Sequence, residues 1–418
     1  MTARLSMAPL GAGLAALLLS TPPMVARAAN LDFAEALSLA ERQAPGLSAR
    51  QHDLAAAKSA SRAAGRLPDP RLRVGLESFP ISGPPAGRFG LEPMTEATVG
   101  LMQDVPSSQR RRAERQRAGA DISLAEAKAT AELRTVRLAT ALAWTDVARA
   151  HRRIEALDAV ARTIALMRKT APAQLASGGA APAQALEPDQ LTARLTDRLA
   201  TVKAELAKAR ADLARWTGDD EADAIGAPPK VVIDAVALRA NLDQLPAFLL
   251  AAAAARQADA DYATAKASVH PDWSWELGYG KRDARWGDLV TVAATVSLPL
   301  FQATRQDPII AAKSEAAAGA RADQLAMHRE LRADLDADLA ELDALSSKAE
   351  RARTLLVPLA ARQAELERAR YAAASGSLND ALQAEMALAE ARLDLLDRDT
   401  DAERAAMRIF LTYGARDQ

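Results

Sequence analysis

The chain of 418 residues carries 53 Lys and Arg against 54 Asp and Glu, contains no cysteine, and is 49% hydrophobic but only 4% aromatic. The balanced charge excludes a generally basic nucleic-acid-binding protein, and the missing cysteine excludes a disulfide scaffold, a thiol nucleophile and a cysteine zinc site. Because alanine is abundant, favours helices and fills little volume, the composition predicts long helices in thin, close packing.

The N-terminal segment has the pattern of a secretory signal peptide. Arg4 precedes an apolar stretch from Ala8 to Leu19, and Ala26-Arg27-Ala28 follows as a small-x-small cleavage pattern. The stretch is shorter than the ~20 residues of a transmembrane helix. We therefore expect residues 1–28 to be the signal peptide of an exported protein without an N-terminal lipid, with a buried N-terminal helix as the alternative.

The mature chain is predicted to consist of two similar halves, residues 29–218 and 246–414, joined by a connector at 219–245. Landmarks recur in the same order roughly 200 residues apart: Leu67-Pro68-Asp69 with His270-Pro271-Asp272, Val105-Pro106 with Leu298-Pro299, Ala176-Ser177-Gly178 with Ala374-Ser375-Gly376, and Arg215-Trp216-Thr217-Gly218 with Leu411-Thr412-Tyr413-Gly414. Each half is expected to contain a helix (Leu31 to Gly65; Pro246 to Ser268), a strand pair (about 71–104; 272–298) and a long helical hairpin (about 107–216; 305–413).

Alternating apolar and polar residues predict the strands. The clearest runs are Trp273, Trp275, Leu277 and Tyr279, then Val290, Val292, Ala294 and Val296, and more weakly Leu72, Val74 and Leu76. Runs of ~9–10 residues have the length of a transmembrane strand. The aromatic-rich apolar face of an exported chain favours contact with lipid, and a four-stranded soluble sheet is the alternative. Because the smallest membrane barrels have about eight strands, two or three chains would have to pool theirs.

Two very long helical stretches follow the strand pairs, from Ser107 to Ala171 and from Arg305 to Ala374, with Pro358 as an expected kink. Heptad spacing predicts coiled-coil seams that include Val136, Ala143, Ala150, Leu157 and Ile164 in the first stretch and Leu331, Leu335, Leu359 and Leu366 in the second. The segments Ser177-Gly178-Gly179 and Ser375-Gly376-Ser377 interrupt the pattern and are predicted to be the tight turns of two helical hairpins.

This order of elements resembles the TolC family of bacterial outer-membrane efflux proteins over essentially the whole mature chain. The resemblance rests on the duplicated strand borders at Pro68, Pro106, Pro271 and Pro299, on the two Ser-Gly turns, and on the segment from Tyr371 to Ala384. It implies a mainly α fold with a small β part: four transmembrane strands per protomer, a homotrimeric barrel of twelve strands in outer-membrane lipid, and a periplasmic tunnel of ~100 Å built from coiled-coil hairpins.

The resemblance also implies a function. The protein would be a passive trimeric duct that docks on a periplasmic adaptor and an inner-membrane RND-type pump. The segments Glu77-Ser78-Phe79-Pro80 and Gly100-Leu101-Met102-Gln103-Asp104-Val105-Pro106 look like the heavy-metal efflux branch, which serves copper/silver or cobalt–zinc–cadmium pumps. The alternative is a periplasmic coiled-coil adaptor or structural interaction protein, against which the duplicated hairpins and strand pairs count.

By its position in the turn segment, Asp380 matches one of the inward acidic residues with which the family narrows its tunnel near the tip. Gln383 stands where a second carboxylate is expected, and Glu187 and Asp189 lie about as far beyond the first turn. Three copies of Asp380 would form a ring that attracts cations, whereas a solvated helical aspartate is the alternative. The candidate adaptor-docking residues are Ser177, Gly178, Gly179, Ser375, Gly376 and Ser377, which also serve as plain hairpin turns.

Other residues leave two interpretations open. One group of aromatic residues fits either an aromatic belt at the membrane interface or the packing of a soluble core: Trp273, Trp275, Tyr279 and Trp286. The arginine run fits either contact with membrane head groups or a solvated helix face; it consists of Arg110-Arg111-Arg112 with Arg115 and Arg117. The four histidines lack metal-ligand spacing, and neither a nucleophile–base pair nor a phosphate loop is present. We therefore expect no metal site, no cofactor and no enzymatic activity.

Overall fold

The computed structural model describes residues 30–176, 186–373 and 375–414, and the structural statements below concern these residues. The predicted signal peptide and the turn Ser177-Gly178-Gly179 lie outside them. In chain order the elements are β1 (Asn30–Leu31), α1 (Phe33–Gln43), α2 (Pro45–Ser61), β2 (Arg71–Glu77), β3 (Glu96–Val105), α3 (Ser108–Ala176), α4 (Glu187–Thr217), β4 (Asp223–Ala224), α5 (Ala235–Ala240), a 3₁₀ turn (Leu242–Gln244), α6 (Pro246–Ala267), β5 (Trp273–Lys281), β6 (Leu289–Val296), α7 (Gln302–Arg351), a π-helical turn (Ala352–Leu356), α8 (Val357–Ala372) and α9 (Leu378–Tyr413).

The first helical region is divided in two, whereas the sequence predicts one helix from Leu31 to Gly65. A capping box starts α1, in which Asp32 accepts from the amide of Glu35 at 2.7 Å and the Glu35 carboxylate accepts from the amide of Asp32 at 3.0 Å. Ala44 then adopts an extended conformation between α1 and α2. Proline disfavours the α conformation in the residue before it and is well suited to the first helical turn, so Pro45 explains both the break and the start of α2.

The four longer strands form one antiparallel sheet in the order β2-β3-β5-β6. Its register places Leu72, Leu101, Leu277 and Val292 in one row across all four strands, and Arg73, Gly100, Gly278 and Thr291 in the next. Because successive side chains of a strand point to opposite faces, one face of the sheet is apolar and the other is polar or small. In the part of the chain that the structure describes, β2 and β6 have no strand partner on their outer edges.

The helix α3 has 69 residues, which corresponds to ~104 Å at 1.5 Å per residue. Its predicted seam is buried throughout, because none of Val136, Ala143, Ala150, Leu157 and Ile164 is more than 6% exposed. These residues face α1, α2, α4 and α9 in a thin core that combines alanine with larger side chains. The seam predicted for the second stretch is only partly buried: Leu331 and Leu335 are covered, whereas Leu359 and Leu366 on α8 are 59% and 49% exposed.

A π-helical turn interrupts the second long stretch directly before the proline at which a kink was predicted. Pro358 has no amide hydrogen, and in a regular α-helix its ring would clash with the carbonyl group of Thr354. The helix widens over Ala352–Leu356 and then continues as α8. The sequence therefore locates the irregularity, while its form as a wide turn emerges only in the structure.

The N-terminal end of the described chain is fixed to the middle of α3. Trp144 is fully buried, its indole Nε1–H donates to the carbonyl oxygen of Leu31 at 2.9 Å, and its ring meets Phe33 edge-on at 5.4 Å. β1 pairs in parallel with β4, so that Asn30 lies opposite Asp223. This pair joins the beginning of the first half to the connector that follows α4.

Candidate functional site

The turn between α8 and α9 is built by serine side chains and one glycine. The amide and hydroxyl groups of Ser375 both donate to the carbonyl oxygen of Arg370, at 2.9 and 3.1 Å. The next residue is Gly376. A Cβ atom at this position would lie 3.0 Å from Cβ of Arg370, so the close approach of the two chain segments favours glycine. Ser377 is the N-cap of α9, and its Oγ accepts from the amide of Asp380 at 3.1 Å.

Asp380 occupies the third position of α9, in the first turn of the helix. A carboxylate there interacts favourably with the positive end of the helix dipole. Its side chain is exposed and makes no ion pair within the described residues. The structure therefore presents Asp380 as a free negative charge next to the turn, held in place through the Ser377 cap.

The other candidate acidic residues are arranged differently. Asp189 lies near the start of α4 and pairs with Arg168 of α3, with 3.0 Å between Oδ1 and Nε. Its charge is therefore balanced inside the first hairpin. Glu187 is the first residue of α4. Asp189 and Asp380 are thus both near hairpin turns, but only Asp380 carries an unbalanced charge.

Gln383 lines a groove of about 480 Å³ between α4 and α9. Sequence reasoning did not identify its polar neighbours, because it predicted both helices without predicting which faces meet. The polar residues of this groove are Gln190, Arg194, Arg198, Asn379, Gln383 and Glu390. The wall beneath them is apolar and includes Leu157, Leu382 and Met386.

Ion pairs connect α3 with α9 farther from the turn. Arg149 binds Asp401 at 2.9 Å and Asp397 at 3.3 Å, and Arg404 reaches back to Asp146 at 3.2 Å. Burial raises the pKa of the Asp146 carboxyl, and the nearby Arg404 and Arg149 only partly offset this effect. Heptad analysis of the sequence detects the apolar seams and does not reveal this charged contact between the two hairpins.

The aromatic residues lie on the apolar face of the sheet or in its loop. Trp273, Trp275 and Tyr279 alternate along β5 and are 42–55% exposed, and Trp286 in the β5–β6 loop is 44% exposed. Core packing within this chain therefore does not account for them. Six residues of strand separate Trp273 from Tyr279, which is ~20 Å, so aromatic side chains occur near both ends of the apolar face.

On the polar face of the sheet, charged residues lie next to glycines of the neighbouring strands. Arg73 reaches Glu77 on its own strand at 3.3 Å and Glu276 of β5 at 3.6 Å. Gly100 leaves room for this contact, because a Cβ atom there would lie 3.2 Å from Oε1 of Glu276. The two faces of one sheet are therefore suited to an apolar and an aqueous environment.

The arginine run at the start of α3 joins helix to sheet. Arg110 binds Asp272 at 2.8 Å, directly before β5, and Arg117 pairs with Asp261 on α6. Arg115 donates to the carbonyl oxygen of Gly65 at 3.3 Å. Much of this run is therefore engaged in contacts within the chain, which neither interpretation of the sequence anticipated.

The described ranges contain neither a cluster of metal-ligating side chains nor a membrane-crossing helix. Within residues 30–176, 186–373 and 375–414, no three His, Asp or Glu side chains converge to hold a metal ion. In the same ranges, no helix combines the length and the apolar character needed to cross a membrane.

No family model and no curated protein sequence matches the chain. Solved structures do match over most of its length. A structure of CusC, concerned with folding and transmembrane channel formation, has a TM-score of 0.77 at 16% identity and covers 93% of each chain. A membrane protein from Pseudomonas aeruginosa has a TM-score of 0.79 at 17% identity, covering 92% of this chain and 90% of that one.

A third similar structure is the open state of the MtrE outer membrane channel of Neisseria gonorrhoeae. Its TM-score is 0.70 at 16% identity, and the match covers 92% of this chain and 89% of that one. The expected mainly α architecture with a small β part is confirmed. The chain shares the TolC-like fold of outer-membrane channel proteins.

Proposed function

We propose that this chain is the protomer of a passive outer-membrane duct in a tripartite efflux system, and not an enzyme. The observation that carries the proposal is the four-stranded sheet, whose apolar face is exposed while its opposite face bears Arg73 and Glu276. An exposed apolar sheet face in water is unfavourable, whereas lipid on that face and water on the other suit it. The similarity to solved outer-membrane channels supports the same conclusion.

The duct is proposed to be a homotrimer. Within residues 30–176, 186–373 and 375–414, the outer edges of β2 and β6 have no strand partner. Each unpaired backbone group in lipid costs several kcal/mol. Pairing β2 of one copy with β6 of the next satisfies both edges, and three copies would give a closed barrel of twelve strands. The exposed leucines of α8 provide a second surface for contact between copies.

The remaining organisation follows the resemblance. Residues 1–28 are proposed to be a signal peptide, and the mature chain to be two related halves, 29–218 and 246–414, with a connector between them. The strands would anchor the protein in the outer membrane without a lipid, and the helices would extend into the periplasm. The turns Ser177-Gly178-Gly179 and Ser375-Gly376-Ser377 would then contact the periplasmic adaptor, which links the duct to an RND-type pump.

Asp380 is proposed as the gate residue of this duct. Its unbalanced charge near the turn, repeated in three copies, would attract cations and repel anions. Gln383 would lie nearby as a neutral polar residue. Of the two acidic residues after the first turn, Asp189 is balanced by Arg168, so it contributes less to the field. The aromatic residues Trp273, Trp275, Tyr279 and Trp286 would border the lipid.

Heavy-metal cations are the proposed cargo class. This part rests on the segments Glu77-Ser78-Phe79-Pro80 and Gly100 to Pro106, which look like the heavy-metal efflux branch. Export of Cu⁺, Ag⁺, Co²⁺, Zn²⁺ and Cd²⁺, and of an uncharged drug, from cells that carry the duct with its pump and adaptor tests the assignment. Export of the drug without any of the metals would contradict it.

The decisive experiment for the duct is expression of the full chain in a Gram-negative host, followed by membrane fractionation and chemical cross-linking. We expect cross-linked trimers in the outer-membrane fraction that form cation-preferring pores in planar bilayers. Recovery of the mature chain as a soluble periplasmic protein would overturn the proposal and favour the alternative of a coiled-coil adaptor or structural interaction protein.

A further inference from the structure

Every glycine of the four longer strands lies on the polar face of the sheet. The register places these glycines in rows with Arg73, Thr98 and Thr291. Glycine in a strand interior has no side chain to pack and costs conformational entropy. Its confinement to one face therefore requires a reason that is specific to that face. The glycines are Gly75, Gly100, Gly278 and Gly280.

Two of these glycines are covered by side chains of a neighbouring strand. Of all the residues in β2, β3, β5 and β6, only Gly100 and Gly280 are buried. A Cβ atom at position 280 would overlap Oε2 of Glu96 and lie 2.9 Å from its Cδ. A Cβ atom at position 100 would lie 3.2 Å from Oε1 of Glu276. A glutamate carboxylate therefore lies across the backbone of each glycine.

The register of β3 and β5 explains how the glutamates reach the glycines. Gly280 lies opposite Thr98, so Glu96, two residues along β3, reaches Gly280 on the diagonal. Glu276 reaches Gly100 by the same diagonal step in the other direction, from β5 to β3. Both side chains therefore lie along the surface of the sheet and do not stand away from it.

The two glutamates differ in what else holds them in place. Glu276 contacts Arg73 of β2 at 3.6 Å, and this ion pair crosses β3 at Gly100. Glu96 forms no ion pair within the described residues. The position of Glu96 therefore depends mainly on the room over Gly280, whereas Arg73 also restrains Glu276.

We propose that Gly100 and Gly280 are seats in the inner wall of the duct: each holds the carboxylate of a neighbouring strand flat against the wall and so keeps the lumen unobstructed. The inference rests on the proposed duct, whose water-filled side is the polar face. A barrel of twelve strands that lie ~4.8 Å apart and are tilted by ~40° has a backbone radius of about 12 Å. Three upright glutamates at one level would obstruct much of this radius, whereas three seated ones leave it open.

Labelling of a single cysteine deep in the barrel measures this opening, because the chain contains no cysteine of its own. Thr295 lies on the polar face near the helix end of β6, opposite Ser274. A reagent that enters from outside the cell therefore passes Gly280 before it reaches T295C. The full chain with T295C is expressed in a Gram-negative host without general porins, and maleimides with short or long polyethylene glycol chains are added to intact cells.

The variant G280A removes one seat and should turn Glu96 into the lumen. We expect labelling of T295C by the long maleimide, relative to the short one, to slow by about threefold, because pore diameter decides which solutes pass. E96A in the same chain should restore the rate. The matched control G278A adds a Cβ atom that meets only Cβ and the carbonyl oxygen of Thr291, at 3.6 and 3.9 Å, and should leave the rate unchanged.

The variant E96A alone tests the seat in a chain that keeps all its glycines, and it decides the question if G280A does not reach the outer membrane. A seated Glu96 does not obstruct the lumen, so E96A should leave the rate of the long maleimide unchanged. Faster labelling in E96A would overturn the seats, as would an unchanged rate in G280A. Equal slowing by G278A, or slowing by G280A that E96A does not reverse, would also overturn them and assign the glycines to strand curvature. Recovery of the chain as a soluble periplasmic monomer would instead overturn the proposed duct.

Discussion

Two carboxylates near the hairpin turns differ in their electrostatic surroundings. Asp189 is paired with Arg168, whereas Asp380 is exposed at the start of α9 and is held only through the Ser377 cap. A paired carboxylate has little residual field, while an unpaired one acts on passing ions, with ~1 kcal/mol between unit charges 4 Å apart in water. An acidic residue near a hairpin turn is therefore not a candidate gate residue by its position alone. Whether its charge is balanced by an ion pair distinguishes the candidates better.

This difference leads to a prediction for the two Asp→Asn variants. D380N should lower the cation-to-anion permeability ratio of pores in planar bilayers by about fivefold, the factor that corresponds to ~1 kcal/mol. D189N, the matched control, should leave the ratio within experimental scatter. Reversal potentials in asymmetric KCl measure it. An equal effect of D380N and D189N on the permeability ratio would contradict the proposal that Asp380 is the gate residue.

Asp223 gives the connector a titratable contact with α3 and α4. Nε2 of His151 lies 2.8 Å from its Oδ1, and Arg210 of α4 also binds the carboxylate. Burial opposes ionisation of Asp223, but the hydrogen bonds from Arg210 and His151 outweigh burial and hold its pKa below the usual range. A carboxyl group whose pKa is lowered by folding stabilises the folded state above its unfolded pKa of about 3.9.

The sign of this shift predicts how stability depends on pH. The stabilisation from Asp223 is fully present at neutral pH and is lost as the pH falls from about 4 through the lower folded pKa. D223N should therefore unfold at a lower temperature than the wild type at pH 7, and the difference should shrink toward pH 3. Thermal melts at pH 7, 5, 4 and 3 measure it, with D53N as the exposed control. A constant difference at all pH values would contradict the prediction.

At the scale of elements, the sheet has an apolar face and a polar face, which the proposed duct would turn toward lipid and toward water. Val292 and Thr291 are neighbours on β6 and lie on opposite faces, in rows with Leu277 and with Gly278. A lysine facing lipid near the bilayer midplane costs ~2–4 kcal/mol, whereas a lysine facing the lumen is solvated. The face of a residue should therefore decide whether a charge is tolerated.

The matched variants V292K and T291K test this assignment. V292K should reduce the yield of trimers in the outer membrane severely, because three copies each place a charge against lipid. T291K should insert normally and shift only the ion preference of the pore. Quantitative immunoblots of outer-membrane fractions give the yields. If the two variants inserted equally well, the apolar face would not be the lipid face.

The elements differ in how far the sequence predicts them. Alternation along β5 and the heptads of α3 extend over many residues, so each has a clear period, and the mainly α fold could be predicted from them. The parallel pair of β1 and β4 consists of two residues on each side, separated by about 190 residues of chain, and such short segments have no detectable period. The break before Pro45 was available from the sequence but was missed, because the apolar pattern continues across it.

The parts of the candidate site that depend on neighbouring residues could be predicted from the sequence, whereas the parts that depend on contacts between distant helices could not. Local features such as the serine cap of α9 at Ser377 depend on residues close in sequence. The groove at Gln383 and the pairs of Arg149 depend on how α9 lies against α3 and α4, and these helices are distant from α9 in the chain. A single sequence shows which face of each helix is apolar. It does not show which apolar faces pack against each other, because many pairings would bury them equally well. The charged partners of α3 and α9 therefore became apparent only in the structure.

At the scale of the whole molecule, one chain leaves several apolar surfaces uncovered. The sheet face and the leucines of α8 are exposed, and among the described residues the edges of β2 and β6 lack partners. Lipid can cover the sheet face, but only another protein surface suits the strand edges and the helix seam. The heptad spacing of Leu359 and Leu366 matches a coiled-coil seam, and α8 packs mainly on α9 within its own chain. In the proposed trimer these leucines would lie against a neighbouring copy.

The last prediction follows from those leucines. Burying one leucine stabilises by ~1.5–3 kcal/mol, so the double variant L359S/L366S removes several kcal/mol from each of three contacts between copies. Trimers of this variant should dissociate at a temperature lower by 10 °C or more, as followed by electrophoresis of heated samples. The control V232S changes another exposed apolar residue, which lies in the connector and outside any heptad seam, and should leave the dissociation temperature unchanged. Because both variants make the surface of the single chain more polar, a loss of trimer stability confined to L359S/L366S identifies the α8 seam as a contact between copies. Unchanged trimers of the double variant would place that contact elsewhere on the chain.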